Sequence, residues 1–464
     1  MAKVKRAYFC SNCGYESPKF LGKCPSCGEW NTFTEEIVSK GDNNSSRSMT
    51  FAAGNAKPIK LSDISSSGNE ERLLLFTNNS INTNISELDR VLGGGIVKGS
   101  LVLIGGEPGI GKSTLSLQIP LYCNSLKTLY VSGEESVKQI KLRADRLGGD
   151  HSNCKILAET NLENILEHAK NEHPNLLIID SIQTIFSQYV ESSTGSVSQV
   201  RECATSLLRY AKETSTPVII IGHITKDGTI AGPKVLEHIV DVVLQFEGEQ
   251  RGAFRILRSI KNRFGASAEL AVYEMTGSGL GEVLNPSEMF IPMHEDNLSG
   301  VAVGAMLDGT RPFLIEVQAL VSTAAYGTPQ RSATGYDVRR LNMLLAVLEK
   351  RVGFKLSQKD VFLNMAGGLK ISDPACDLAV IISILSSNFD VAVNQKYAFA
   401  AEIGLSGEIR PAAQIERRIA EAEKLGFEKI YISRYCTIEK KKRKIEVMAA
   451  SSIPQIVREI FKEN

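Results

Sequence analysis

The sequence predicts a three-part α/β chain: a parallel-sheet nucleotide-binding core, with a small four-cysteine metal module before it and an α+β domain after it. Three observations predict this. The apolar run Leu101-Val102-Leu103-Ile104 opens into GGEPGIGKST at 105–114 and then into the helix-like TLSLQI. Short apolar runs recur at 101–104, 128–132, 176–180, 217–222, 240–246 and 254–260, with helical stretches between the first four, the pattern of parallel βαβ units. Four cysteines crowd the N-terminus as Cys10-x2-Cys13-x10-Cys24-x2-Cys27.

The 464 residues allow two or three domains. A net charge of +1 excludes a gross basic field, so any nucleic-acid contact must use local patches. No apolar stretch reaches the roughly 18 residues of a membrane span. The opening MAKVKRAYFCSNCG has no apolar core of a secretory leader, so a cytoplasmic location with reduced cysteines is expected.

Residues 1–34 are expected to fold around zinc. Two Cys-x2-Cys knuckles about a dozen residues apart can wrap one tetrahedral ion, and Gly14 and Gly28 relieve the turns. Four thiolates leave no open position, so Cys10, Cys13, Cys24 and Cys27 would hold a structural metal. The alternative, a redox pair or disulfide, conflicts with a reducing compartment. Cys123, Cys154, Cys203, Cys376 and Cys436 are scattered and read as small core residues. Residues 35–61 lose their hydrophobics and read as a linker.

The core spans 62–285. Its loop Gly106-Glu107-Pro108-Gly109-Ile110-Gly111-Lys112-Ser113-Thr114 has the spacing of a P-loop, whose backbone N–H groups and following helix N-terminus cradle phosphates. Lys112 would span the β- and γ-phosphates of ATP, and the Ser113 hydroxyl would ligate Mg²⁺. Pro120 should kink or end that helix early. Asp180 closes LLIID and is placed to meet Mg²⁺ through water, or else to cap a helix. Glu134 and Glu135 follow TLYVS, where a glutamate can orient water against the γ-phosphate; a solvated pair is the alternative. His223 follows PVIIIG. It either contacts the γ-phosphate and reports to the loop TKDGTIAGPK, or is a hydrogen-bonded loop residue.

From Asn285-Pro286 the chain reads as an α+β domain, 286–464. Strands are expected at 301–306, 313–319 and 398–404, and helices at 337–350, 375–387 and 413–425. The basic run 440–444 reads as a solvated face, with phosphate tracking as the alternative.

With these residues assembled, SELDRVLGGGIVKGSLVLIGGEPGIGKST resembles the opening of RecA-type ATPase cores. Together with CSNCG…CPSCGEW before it and KNRFG at 261–265 behind it, the chain resembles the RadA (Sms) family of bacterial recombination and repair proteins. The resemblance implies a DNA-dependent ATPase that forms a hexameric ring and drives branch migration on single-stranded and branched DNA, alongside a RecA-type recombinase. It implies Glu134 as the catalytic glutamate and His223 at the γ-phosphate sensor position. Lys261 and Arg263 would reach either the neighbouring subunit's ATP or DNA, whereas the residues alone favour a charged turn after strand 254–260. DNA-facing loops would carry Tyr189, Arg201, Lys226 and Lys234, with a mobile Ser/Gly-rich stretch at 192–198. The C-terminal third resembles a Lon-protease-like domain without its Ser–Lys pair: Pro374-Ala375-Cys376-Asp377 puts Ala375 at the nucleophile position, and Glu416 stands where the lysine belongs. That implies an inactive scaffold for ring assembly or DNA. A Lon-like protease and a non-motor ATP-switched scaffold are the competing readings.

Overall fold

The structure is a computed structural model describing residues 4–10, 15–39, 72–75, 87–123, 125–223, 236–247, 254–267, 269–283, 285–291, 298–309, 311–324, 329–368 and 371–461. It divides into two compact units, Met1–Val283 and Leu284–Asn464.

The first unit opens with a three-stranded antiparallel sheet, in which β1 (Val4–Cys10) lies between β2 (Glu16–Ser17) and β3 (Phe33–Ser39). Strand β3 runs through residues 35–39, which were expected to belong to the linker. The register Arg6↔Ile37 and Lys5↔Val38 shows why: the apolar pair Ile37-Val38 continues the ladder. Ala7 and Phe9 of β1 are buried in an apolar cluster shared with Leu162, Ile165 and Ala169 of the core.

The core elements are β4 (Arg72–Leu73), α1 (Glu87–Val91), β5 (Ile96–Val97), β6 (Leu101–Gly106), α2 (Lys112–Tyr122), β7 (Thr128–Ser132), α3 (Val137–Leu147), β8 (Cys154–Ala158), α4 (Leu162–Glu172), β9 (Leu176–Asp180), α5 (Val197–Thr214), β10 (Val218–His223), β11 (Val242–Glu247), β12 (Phe254–Asn262), β13 (Leu270–Thr276) and β14 (Gly279–Glu282). Nine strands form one sheet in the order β14-β13-β12-β11-β6-β10-β9-β7-β8. Strands β11 to β8 run parallel, and β12–β14 extend the sheet as an antiparallel meander. The central strands β6, β7 and β9 are buried at every residue, as covering on both faces requires. Helix α2 ends two residues after Pro120. Strand β8 was not foreseen; it is a half-exposed edge strand without a continuous apolar run.

The second unit contains α6 (Pro286–Phe290), β15 (Val301–Asp308), β16 (Arg311–Thr323), β17 (Arg331–Thr334), α7 (Val338–Val347), β18 (Lys359–Met365), α8 (Asp377–Phe389), β19 (Tyr397–Ala400), β20 (Glu402–Ile403), β21 (Ile409–Arg410), α9 (Ile415–Lys424), β22 (Lys429–Ser433), β23 (Glu446–Ala450) and α10 (Ile453–Phe461). Its mixed sheet runs β17-β18-β16-β15-β19-β22-β23. The helix expected to 350 is regular only to Val347. It then widens into a π-turn over Leu348–Val352 that ends at Gly353, φ 88°. Helix α8 is buried continuously from Asp377 to Ser386 and forms the unit's central helix.

Candidate nucleotide site and metal module

Four parallel strands bring the site together. Register sets His223 beside Gly106 and Ser132 beside Asp180, so the tips of β6, β10, β9 and β7 lie along one sheet edge. That is where ligands sit in an open parallel sheet. Gly111 caps α2 at φ 115°, a conformation that favours glycine, and a Cβ there would meet Met275 Cε at 3.0 Å. The loop's amides and the helix N-terminus make an anion cradle.

Lys112 is 3% exposed, and its ammonium donates to the carbonyls of Gly106 and Glu107, both at 2.8 Å. Burial lowers its pKa to about 8, against the opposing pull of the Asp180 and Glu134 carboxylates. Ser113 follows it in the first turn of α2. Asp180 is buried and accepts from the Tyr130 hydroxyl at 2.6 Å. Burial, together with the Asp180 carboxylate, pushes the Tyr130 phenol well above its ordinary pKa. It stays a hydrogen-bond donor that holds the carboxylate in place. A hydroxyl and a carboxylate are the hard oxygen donors Mg²⁺ takes, so the set fits a Mg²⁺-nucleotide.

Glu134 Oε1 accepts from Ser181 Oγ at 2.6 Å and lies 3.4 Å from His223 Nε2. Gly133 lets this happen: a Cβ there would fall 2.1 Å from Thr184 Oγ1, so any side chain would push the tip of β7 away from the turn after β9. The His223 carbonyl accepts from Gln183 Nε2 at 3.3 Å, and His223 Nδ1 is buried without a partner among the described residues. Glu135 faces away and forms an ion pair with Arg143. Tyr130, Ser181 and Gln183 were not singled out from sequence; each meets its partner only through sheet pairing.

The loop after β9 differs from expectation. Gln199 is buried, and its carboxamide donates to the carbonyls of Ser187, Val190 and Ser192 while accepting from the Ser187 N–H. Ser192, Ser196 and Ser198 hydrogen-bond one another. The stretch 192–198, expected to be mobile, is therefore tied down. Tyr189 stands 80% exposed on this loop, and Arg201 is exposed on α5. Lys226, Lys234 and the loop TKDGTIAGPK lie outside the described residues.

Lys261 and Arg263 are not beside Lys112. Lys261 pairs with Val243 and Asn262 with Val242 at the start of β11, whereas Gln245 pairs with Gly105 next to the loop. Three residue steps, Val242 to Gln245, separate the two ends, roughly 10 Å. Lys261 donates to the carbonyls of Glu237 and Val240. Burial and the neighbouring Arg263 lower its pKa. Arg263 is half-exposed and lies 3.5 Å from buried Asp241, which also accepts from the Leu101 N–H and pairs with Lys212. Within one chain, KNRFG braces the sheet edge opposite the phosphate loop.

In the N-terminal module the sulfurs of Cys10, Cys24 and Cys27 lie within 4.8 Å of one another, with Cys10 and Cys27 at 3.7 Å. A tetrahedron with Zn–S near 2.3 Å has edges of about 3.8 Å, so these three fit three corners of a zinc site. Cys13 lies outside the described residues.

In the second unit Ala375 and Cys376 are buried, and burial with the Asp373 carboxylate raises the Cys376 thiol far above its ordinary pKa. Glu416 binds Arg443 at 2.8 Å through both oxygens and Lys441 at 3.3 Å, so part of the basic run 440–444 is already neutralised. Asp377 is fully buried and accepts from Tyr336 Oη at 2.6 Å, Arg340 Nε at 2.7 Å and the Ile403 N–H at 3.1 Å.

Comparison with known proteins agrees with these parts. Residues 81–280 match the KaiC ATPase family, 8–35 a rubredoxin-type metal-binding zinc ribbon, and 322–435 the ChlI subunit of Mg-chelatase. The solved RadB recombinase is 22% identical with a TM-score of 0.34, covering 42% of this chain and 96% of that one. The protein named DNA repair protein RadA of Bacillus subtilis is 49% identical over 435 residues, 93% of each chain. Its namesake in Streptococcus pyogenes serotype M6 is 46% identical over 464 residues, 99% of this chain and all of that one. With identity of this order along nearly its whole length, the chain belongs to the RadA family of DNA repair proteins.

Proposed function

We propose that the chain is a DNA-dependent ATPase that acts as a homo-hexameric ring on single-stranded and branched DNA, promoting branch migration during homologous recombination and repair with a RecA-type recombinase. The observation that carries the ATPase chemistry is the Glu134 carboxylate. It is held by Ser181 beside His223, on the same sheet edge as buried Lys112. In this reading Glu134 orients and deprotonates the attacking water, and Ser181 fixes the oxygen that does so. Lys112 leaves its two loop carbonyls to bridge the β- and γ-phosphates. Ser113, and Asp180 through water, would hold Mg²⁺, which would supply charge neutralisation at the phosphates. His223 meets the γ-phosphate side of Glu134 and continues through its carbonyl to Gln183, in the segment leading to the Tyr189 loop.

The relatives' printed name supports a role in DNA repair. The offset of KNRFG from the phosphate loop, roughly 10 Å along β11, supports a role for Arg263 outside its own subunit's site, on a neighbour's ATP or on DNA. The protease reading has no support from the second unit, where Ala375 cannot attack, Cys376 is buried as a thiol, and Glu416 is engaged by Arg443. The test is a synthetic four-way junction, with branch migration and phosphate release followed together. Movement that stops in Glu134→Gln together with phosphate release supports a motor. Turnover without junction movement in the unaltered chain, with its recombinase present, would leave an ATP-switched scaffold. Rings mixed from Arg263→Ala and Lys112→Ala subunits should regain part of the hydrolysis if Arg263 acts across the interface. No recovery in verified mixed rings assigns Arg263 to DNA.

A further inference from the structure

We propose that the zinc ribbon's exposed aromatic face stacks the bases of single-stranded DNA, with Phe20 and Trp30 as platforms and Lys19 and Lys23 on the adjoining phosphates. Within residues 15–35, every large apolar side chain that is exposed is aromatic: Tyr15 at 41%, Phe20 at 56% and Trp30 at 67%. The rings form a connected set. Tyr8 and Phe20 meet edge-on at 6.0 Å, Phe20 and Phe33 at 6.5 Å, and Phe33 and Tyr15 at 6.4 Å. Trp30 is brought up by the antiparallel bridge from Lys23, whose ammonium sits 5.5 Å from its ring centroid.

A module that holds its aromatics at the surface forgoes the burial that normally stabilises them. Its small interior is instead organised by Cys10, Cys24 and Phe33, and by the metal. The surface chemistry selects the occupant. The aliphatic Leu21 is partly buried against Cys10, Cys24 and Phe33, which leaves aromatic rings as the exposed large apolar groups of residues 15–35. Flat rings with exposed Lys19 and Lys23 alongside match the pairing used for single strands: stacking worth about 1–3 kcal/mol per base, with cations on the phosphates. Glu16, Glu29 and Glu35 exceed Lys19 and Lys23, and a zinc held by four thiolates adds further negative charge, so residues 15–35 are net acidic and stacking, not counter-ion release, supplies the affinity. The inference rests on the DNA-directed reading above only for the identity of the polymer.

Trp30 is the chain's single tryptophan, so its emission reports this face alone within the full chain. The zinc-loaded chain is titrated with a 20-nucleotide oligo-dT without ATP, while anisotropy of a labelled copy reports total binding. We expect Trp30 emission to be quenched in step with anisotropy, and Phe20→Ala to need about tenfold more oligonucleotide for the same quench. The Lys19→Gln, Lys23→Gln double variant, whose exposed positions spare the fold, should flatten the salt dependence of binding by about 1.4. Zinc content verifies each variant. Oligonucleotide bound by anisotropy with Trp30 emission unchanged, or with the lysine variant indistinguishable, overturns the inference and leaves the face to a protein partner. Absence of any oligonucleotide binding, both without nucleotide and with ATP on the Glu134→Gln chain, overturns the DNA-directed reading itself, and this inference with it.

Discussion

Replacing Lys112 by methionine should abolish ATP hydrolysis and yet ease a strain on the nucleotide-free fold, with a pH signature that isolates the cause. The folded state holds this ammonium buried, lowering its pKa from 10.5 to about 8. The gap of 2.5 units corresponds to about 3.4 kcal/mol against the charged form, at about 1.36 kcal/mol per unit. The sign follows from proton counts. Between pH 8 and 10.5 the unfolded lysine keeps a proton that the folded one has released, so stability rises with pH in that window. At pH 7 the full cost is present, and by pH 9 roughly 1.4 kcal/mol of it is relieved. Methionine has no such term but forfeits two hydrogen bonds to the carbonyls of Gly106 and Glu107, together about 2 kcal/mol. The variant should therefore be about 1 kcal/mol more stable at pH 7, an advantage lost by pH 9. Urea unfolding of both proteins without nucleotide, followed by far-ultraviolet circular dichroism at pH 7, 8 and 9, measures the difference. A difference that does not move with pH would refute the buried-charge argument. Hydrolysis should fall at least about a hundredfold, as for loss of a major electrostatic contributor.

Glu134→Gln should keep ATP binding and lower phosphate release about 10²–10⁴-fold; turnover within a factor of two of the unaltered chain would remove Glu134 from the chemistry. Cys24→Ala should cost one zinc per chain by metal analysis while ATP hydrolysis persists, since the module's folding energy comes largely from the metal. Retained zinc would rule out the ribbon's ligand set. Arg340→Ala should destabilise the second unit by about 3 kcal/mol in thermal unfolding, because it strips the main countercharge from fully buried Asp377. A change below about 0.5 kcal/mol would mean that Tyr336 and the Ile403 amide suffice.

The parallel core was legible because its strands are short, mostly apolar runs ending in small or acidic residues, and LVLIGG, TLYVS and LLIID all fall on strands. Strand β8, CKILA, escaped because an edge strand needs only one covered face and half its residues stay wet. In the second unit KDVFLNM alternates along β18 and carries a strand signal, but Lys359 and Asp360 disguised its start. The phosphate loop could be read from composition because glycine there answers a local backbone demand. Ser181 and Gln183 could not, since a serine after a strand is common. What makes this one matter is that β7 places Glu134 beside it. Lys261 was expected to reach a neighbouring subunit's ATP or DNA, yet within its own chain it donates to the carbonyls of Glu237 and Val240 before β11. No local pattern announces a contact across 24 residues.

The carboxamide of Gln199 gives the loop 187–192 a fixed shape that its own residues do not encode. Conformational freedom that would otherwise be surrendered at each encounter is surrendered once, when the protein folds. The loop's composition is thereby released from any duty to stiffen itself. A ligand arriving there meets a surface already in its final form, so its rate of arrival is not slowed by waiting for the loop to organise.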